Sequence, residues 1–205
     1  LVDGARKRSH TFLFAHGAGA PMDSPFMEFF AKGLADEGLC VGRFEFPYMQ
    51  RRRAEGTKRP PDRGPKLLEA WSEVIAEVRD GLPKGGRLII GGKSMGGRIA
   101  SMVADHQGVD GLVCLGYPFH PPGRPEKTRT EHLAELQTPA LIVQGTRDSM
   151  GGQEAVAGYQ LSKSMKLHWL EDGDPSFKPR KKSGRTEEQN WLEGVTEVAA
   201  FVKAL

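Results

Sequence analysis

With 205 residues, 38% of them hydrophobic and 27% charged, the chain can bury a sizeable core and is too ordinary in composition for a disordered, collagenous or disulfide-stapled protein. A formal net charge of +3 is too small to argue by itself for nucleic acid, and no apolar stretch approaches the length of a membrane span. Its two cysteines, Cys40 and Cys114, fall in apolar, strand-like runs and form no framework, which fits a reducing, cytoplasmic compartment.

A single domain over residues 1–205 is expected. The opening LVDGARKRSH lacks the apolar core of a secretory signal. Thr11 to Ala15 reads as a short strand running into His16-Gly17-Ala18-Gly19, a glycine-rich turn of the kind that offers a backbone N–H to developing negative charge. The Ala18 N–H is the candidate donor, with His16 and Gly17 as pocket residues and His16 expected to brace the loop. Asp23 to Glu37 reads as a helix with Phe26, Phe29, Phe30 and Leu34 on one face. Leu39 to Phe46 is the next strand. Pro47 to Pro65 reads as a long loop rich in arginine, either a basic rim for an anionic substrate or, the plainer reading, a solvated segment. Lys66 to Asp80 is a helix with Leu67, Leu68, Trp71, Ile75 and Val78 at apolar spacing.

Arg87 to Arg98, RLIIGGKSMGGR, organises the rest. An apolar strand meets a turn in which Gly92-Lys93-Ser94-Met95-Gly96 fits G-x-S-x-G, and Ile99 to Val103 opens a helix. In such an elbow the serine takes a strained backbone conformation that exposes its hydroxyl, and the glycines on either side let strand and helix approach. The Met95 N–H is aimed at the same point. Two rivals are weaker. A P-loop needs a glycine where this chain has Arg87, and a passenger serine in a glycine-rich turn leaves the later motifs unexplained.

Gly111 to Gly116 is a buried strand, and Tyr117 to Arg129 a proline-rich loop carrying His120 over its carboxyl end. Thr130 to Leu136 is a brief helix. Ala140 to Gln144 is a strand, and Asp148 just beyond it is placed to orient a catalytic histidine. Met165 to Leu170 is the last strand, Glu171 to Gly184 a polar loop, and Arg185 to Leu205 a closing helix. Strands alternating with helices predict a mainly parallel sheet of about six strands, covered on both faces, without a large lid domain.

HGAG at 16–19, GGKSMGG at 91–97, QGTRD at 144–148 and GDPSF at 173–177 together resemble the α/β-hydrolase superfamily, on its dienelactone-hydrolase-like side. More closely, the chain resembles small hydrolases related to a testis-expressed protein and to a subunit of the NSL histone acetyltransferase complex. The resemblance implies an α/β-hydrolase fold whose first antiparallel strands are trimmed. It also implies Ser94 as nucleophile, Met95 and Ala18 as oxyanion-hole amides, and Asp148 as triad acid. Where the family carries the histidine of Gly-Asp-His-Ser-Phe, this chain has Pro175. Loss of such a base can cost on the order of 10⁶ in kcat. No other histidine is well placed by sequence, and Lys93 is expected to point away from the site.

Two functional readings follow. One is a serine hydrolase acting on a small ester or acyl substrate, with weak or absent turnover. The other is a non-catalytic binding protein on the same scaffold. No cofactor, metal, nucleic acid or membrane is implied, and nothing in the chain indicates an oligomeric state.

Overall fold

Period-two alternation builds the sheet and divides the core. In β2 (His10–Ala15) Phe12 and Phe14 face one layer, and Leu13 and Ala15 the other. The same division recurs in β4 (Arg87–Lys93), where Ile89 opposes Leu88 and Ile90. It recurs in β5 (Gly111–Leu115), where Val113 and Leu115 oppose Leu112 and Cys114, and in β6 (Ala140–Gly145). Strands buried on both faces are nearly continuous in apolar residues, as parallel strands require. The computed structural model describes residues 1–205 throughout.

Seven strands lie in the order β1-β3-β2-β4-β5-β6-β7, with β3 at Cys40–Phe44 and β7 at Met165–Leu170. All neighbours are parallel except β1 (Val2–Asp3), which pairs antiparallel with β3. The sheet thus has one strand more than the about six expected, a short antiparallel one where such strands were expected to be trimmed. A two-residue strand carries no periodicity to read, and its position is held by the Arg43–Asp3 ion pair.

Helices α1 (Pro25–Asp36) and α6 (Glu187–Lys203) cover one face through Phe30, Leu34, Val195 and Val198. Helices α3 (Gly64–Arg79) and α4 (Met95–Gln107) cover the other through Trp71, Ile75, Ile99 and Val103. No helix is long and apolar enough to cross a membrane.

The segment expected to be loop from Pro47 to Pro65 begins with a helix, α2 (Pro47–Glu55). Its arginine run hid it, because only Tyr48 and Met49 are buried and no apolar stripe forms. Two of the arginines instead bond to carboxylates outside the helix, Arg53 to Asp23 and Glu45, and Arg51 to Asp62. These ion pairs neutralise two of the cations that the basic-rim reading needs. The expected helix at Thr130 to Leu136 shortens to one 3₁₀ turn, Glu131–Leu133.

Thr186 and Gln189 form a reciprocal capping box at the start of α6. One turn on, the fully buried Asn190 side chain donates to Glu171 O (3.1 Å) and Phe177 O (2.7 Å) and accepts from Arg185 Nε (2.8 Å). It ties the β7–α6 loop to the helix. Asn190→Ala is expected to lower stability by about 2 kcal/mol, because the buried Phe177 carbonyl and the partly buried Glu171 carbonyl lose their donor. The measurement is the urea midpoint at unchanged m-value, and a loss below about 0.5 kcal/mol would show that water replaces the amide.

Candidate active site

Strand β4 ends at Lys93 and α4 begins at Met95, which leaves Ser94 at the turn with φ 48° and ψ −113°. A non-glycine residue held there is strained, and the surroundings must over-determine it. They do so by crowding. A Cβ on Gly92 would fall 2.5 Å from Ala15 O, and one on Gly96 2.6 Å from the same oxygen. The Ser94 N–H donates to Leu115 O at 2.9 Å, which fixes the turn to the neighbouring strand.

The loop after β2 closes over this turn. His16 is fully buried, its Nδ1–H donating to Gly17 O (2.7 Å) and its Nε2 accepting from the Phe46 N–H (3.2 Å). Both ring nitrogens are occupied, and burial pushes its pKa down, so the ring is neutral. Tyr48 Oη donates to Ala18 O at 3.0 Å. The loop is therefore braced, with Gly17 and Ala18 on a cleft of about 710 Å³ that Lys93, Ser94, Met95 and Pro175 also line. Met95 is the first residue of its helix, where an N–H has no intrahelical acceptor.

Asp148 lies just past β6 and is 3% exposed. Its Oδ1 accepts from the Met150 N–H (2.8 Å) and its Oδ2 from Gln144 Nε2 (3.0 Å). Burial pushes its pKa up, opposed by the Met150 amide and the Lys93 charge. Gln144 also accepts from the Tyr117 N–H (2.7 Å) and holds the β5 and β6 ends together. Sequence reading passed over this glutamine, although a polar residue in register with the buried Ala140 and Ile142 is a visible signal.

Pro175 stands in the loop between β7 and α6, on the rim of the cleft. The loop is closed by Asp174, whose Oδ1 accepts from the Ser176 and Lys178 N–H groups (2.7 and 3.0 Å). It is closed also by Asp172, which hydrogen bonding from Arg180 holds down at about 2. No histidine lines the cleft. His120 sits with Asp148 on a separate depression and bonds to Pro121 O (2.9 Å). His168 bonds to Glu193 (2.9 Å), and His132 to Ser101 (2.8 Å).

The side chain that does reach position 175 is Lys93, which corrects the expectation that it points away. Alternation along β4 puts it on the same face as Ile89, and there its ammonium donates to Pro175 O. Nζ lies 4.8 Å from the Phe26 ring centroid and 5.4 Å from that of Phe177. A methyl group placed on Gly116 would lie 2.9 Å from Pro175 O, 3.0 Å from Lys93 Nζ and 3.8 Å from Asp148 Oδ2. The Pro175 carbonyl, the Lys93 ammonium and the Asp148 carboxylate thus surround one point. Burial pushes the Lys93 pKa down to about 8, against the pull of Asp148 and Asp174.

The chain is similar in fold to an alpha-beta serine hydrolase homologue from Coxiella burnetii, with a TM-score of 0.74 at 20% identity over 100% of this chain and 90% of that one. It is similar to a serine hydrolase without lid from Xanthomonas campestris, with a TM-score of 0.70 at 20% identity over 96% and 86%. It also resembles Est1E from Butyrivibrio proteoclasticus, solved with ferulic acid bound, with a TM-score of 0.73 at 16% identity over 100% and 95%. Residues 8–203 match the family model of the alpha/beta hydrolase domain, and the chain belongs to that family.

Proposed function

We propose that the chain is a serine hydrolase acting on small carboxylic esters, in which the Lys93 amine does the work of the imidazole that position 175 lacks. The observation that carries the reading is the strained Ser94 backbone on a cleft whose neighbouring lysine is held beside Asp148. Ser–Lys pairs are a known variant of the serine triad. In the acylation step Ser94 Oγ bonds to the ester carbon, the Oγ proton passes to neutral Lys93 Nζ, and the carbonyl electron pair moves onto oxygen. The N–H groups of Ala18 and Met95 receive that oxyanion. Collapse breaks the bond to the alcohol oxygen, which leaves with the proton from Nζ. Water then repeats the sequence on the acyl-serine and releases the acid. The narrower resemblance, to the testis-expressed protein and the NSL-complex subunit, belongs with this reading as an account of lineage.

One observation favours a second reading, a binding protein that kept the cleft: the Lys93 ammonium already has an acceptor in Pro175 O. A fluorophosphonate separates the two. Stoichiometric labelling of Ser94, located by mass spectrometry and absent in Ser94→Ala, is the outcome expected of a hydrolase. An unlabelled protein at pH 9, where the amine is neutral, would support the binding protein.

A further inference from the structure

Most cations around the site are neutralised. Arg53 meets Asp23 and Glu45, Arg51 meets Asp62, and Arg180 meets Asp172. Arg98 and Arg129 differ. Both are half-buried, both line the Ser94 cleft, and neither forms a salt bridge. Arg98 Nε is enclosed without a hydrogen-bond partner, and its Nη1 reaches only the Met102 sulfur at 3.7 Å, a weak acceptor. The Arg129 guanidinium makes no hydrogen bond either; only its backbone is engaged, with Phe119 O and Tyr117 Oη. Burial, and then the charge of Arg98, push the Arg129 pKa below its ordinary value. Half-buried cations that repel each other are unfavourable unless something negative joins them.

The position of the pair is also informative. Arg98 begins one helical turn after Ser94, its N–H donating to Ser94 O at 3.0 Å. Arg129 comes from the far end of the loop after β5. Two planar forks lining one cleft, close enough for their charges to repel, suit an oxyanion that takes N–H bonds from both.

We infer that Arg98 and Arg129 form an anion subsite, and that the preferred substrate is an ester bearing a carboxylate or phosphate group away from the scissile bond. The inference rests on the hydrolase reading for the word substrate, while the anion site itself does not.

The test compares the 4-nitrophenyl monoester of glutaric acid with uncharged 4-nitrophenyl pentanoate at fixed ionic strength. The ratio of their kcat/KM values cancels any general loss of activity. The anionic ester is expected to be favoured at least tenfold, and Arg129→Gln or Arg98→Gln to reduce the ratio by about tenfold to a hundredfold, the usual scale for a charged hydrogen bond. Arg129 is on a loop, so its variant keeps the test valid where Arg98→Gln unfolds. Calorimetric titration of Ser94→Ala with glutarate and with inorganic phosphate reads binding without turnover. Binding of either that is lost in Arg129→Gln supports the subsite and says which anion it takes, even where no ester is hydrolysed, in which case the hydrolase reading alone falls. Equal turnover of the two esters, or neither anion binding, overturns the subsite, and the hydrolase reading stands wherever either ester is turned over.

Discussion

Pro175→His is expected to raise kcat/KM on a small activated ester by on the order of 10² to 10⁴, the usual contribution of a positioned general base. The argument is geometric first. Pro175 O, Lys93 Nζ and Asp148 Oδ2 surround a single point beside Gly116. An imidazole introduced at position 175 is expected to turn toward that acid, since the Pro175 backbone already lies beside it. Asp148 is held rigidly, with Met150 and Gln144 fixing its two oxygens. The loop is expected to survive the change, because Asn190, Asp172 and Asp174 tie it down without using the Pro175 ring. The controls are Ser94→Ala in the same background, which is expected to remove the gain, and fluorophosphonate labelling, which is expected to accelerate with it. A Pro175→His protein that folds, labels no faster and hydrolyses nothing would falsify the assignment of 175 as the base position.

What the sequence showed, and what it hid, divides along a physical line. The sheet was legible because buried parallel strands are apolar runs, and five of the strands named in advance hold their expected positions to within a residue or two. Ser94 and Asp148 were legible because each is a local event, an elbow forced by crowding at Gly92 and Gly96, and a carboxylate just past a strand end. Helix α2 was not, since it buries only Tyr48 and Met49 and shows no apolar stripe, and its arginines pair with carboxylates outside the helix. The Arg98–Arg129 pair was hidden for a related reason. The two share a cleft although they lie 31 positions apart, on α4 and on the loop after β5. Lys93 is the instructive miss. Counting in twos from Ile89 puts it on the α1 and α6 face, where Phe26, Phe177 and Pro175 wait, and the direction of its side chain was readable once the strand was carried to its last residue.

That lysine gives the second large prediction. Lys93→Met is expected to slow Ser94 acylation by 10² or more, at the lower end of what loss of a positioned base costs. A merely structural role would give a similar loss, so the discriminating variant is Lys93→Arg. Arginine keeps the cation and can still donate to Pro175 O, but it does not deprotonate in a protein. If the ammonium only braces the loop, Lys93→Arg retains most of the acylation rate. If Lys93 is the base, the arginine variant is as slow as the methionine one. The pH dependence carries the same information with a definite sign. Burial holds the Lys93 pKa at about 8, so below that value the side chain is an ammonium with no lone pair to accept the Ser94 proton. Above it the side chain is a competent amine. Acylation is expected to rise through pH 8 and to level off about one unit higher, and the limb is expected to vanish in both variants. In Pro175→His the inflection is expected to move down into the imidazole range, and the penalty for Lys93→Met to shrink, because the proton then has another acceptor. A profile that stays flat through pH 8 while Ser94 is being labelled would remove Lys93 from the reaction and return it to the loop as a brace.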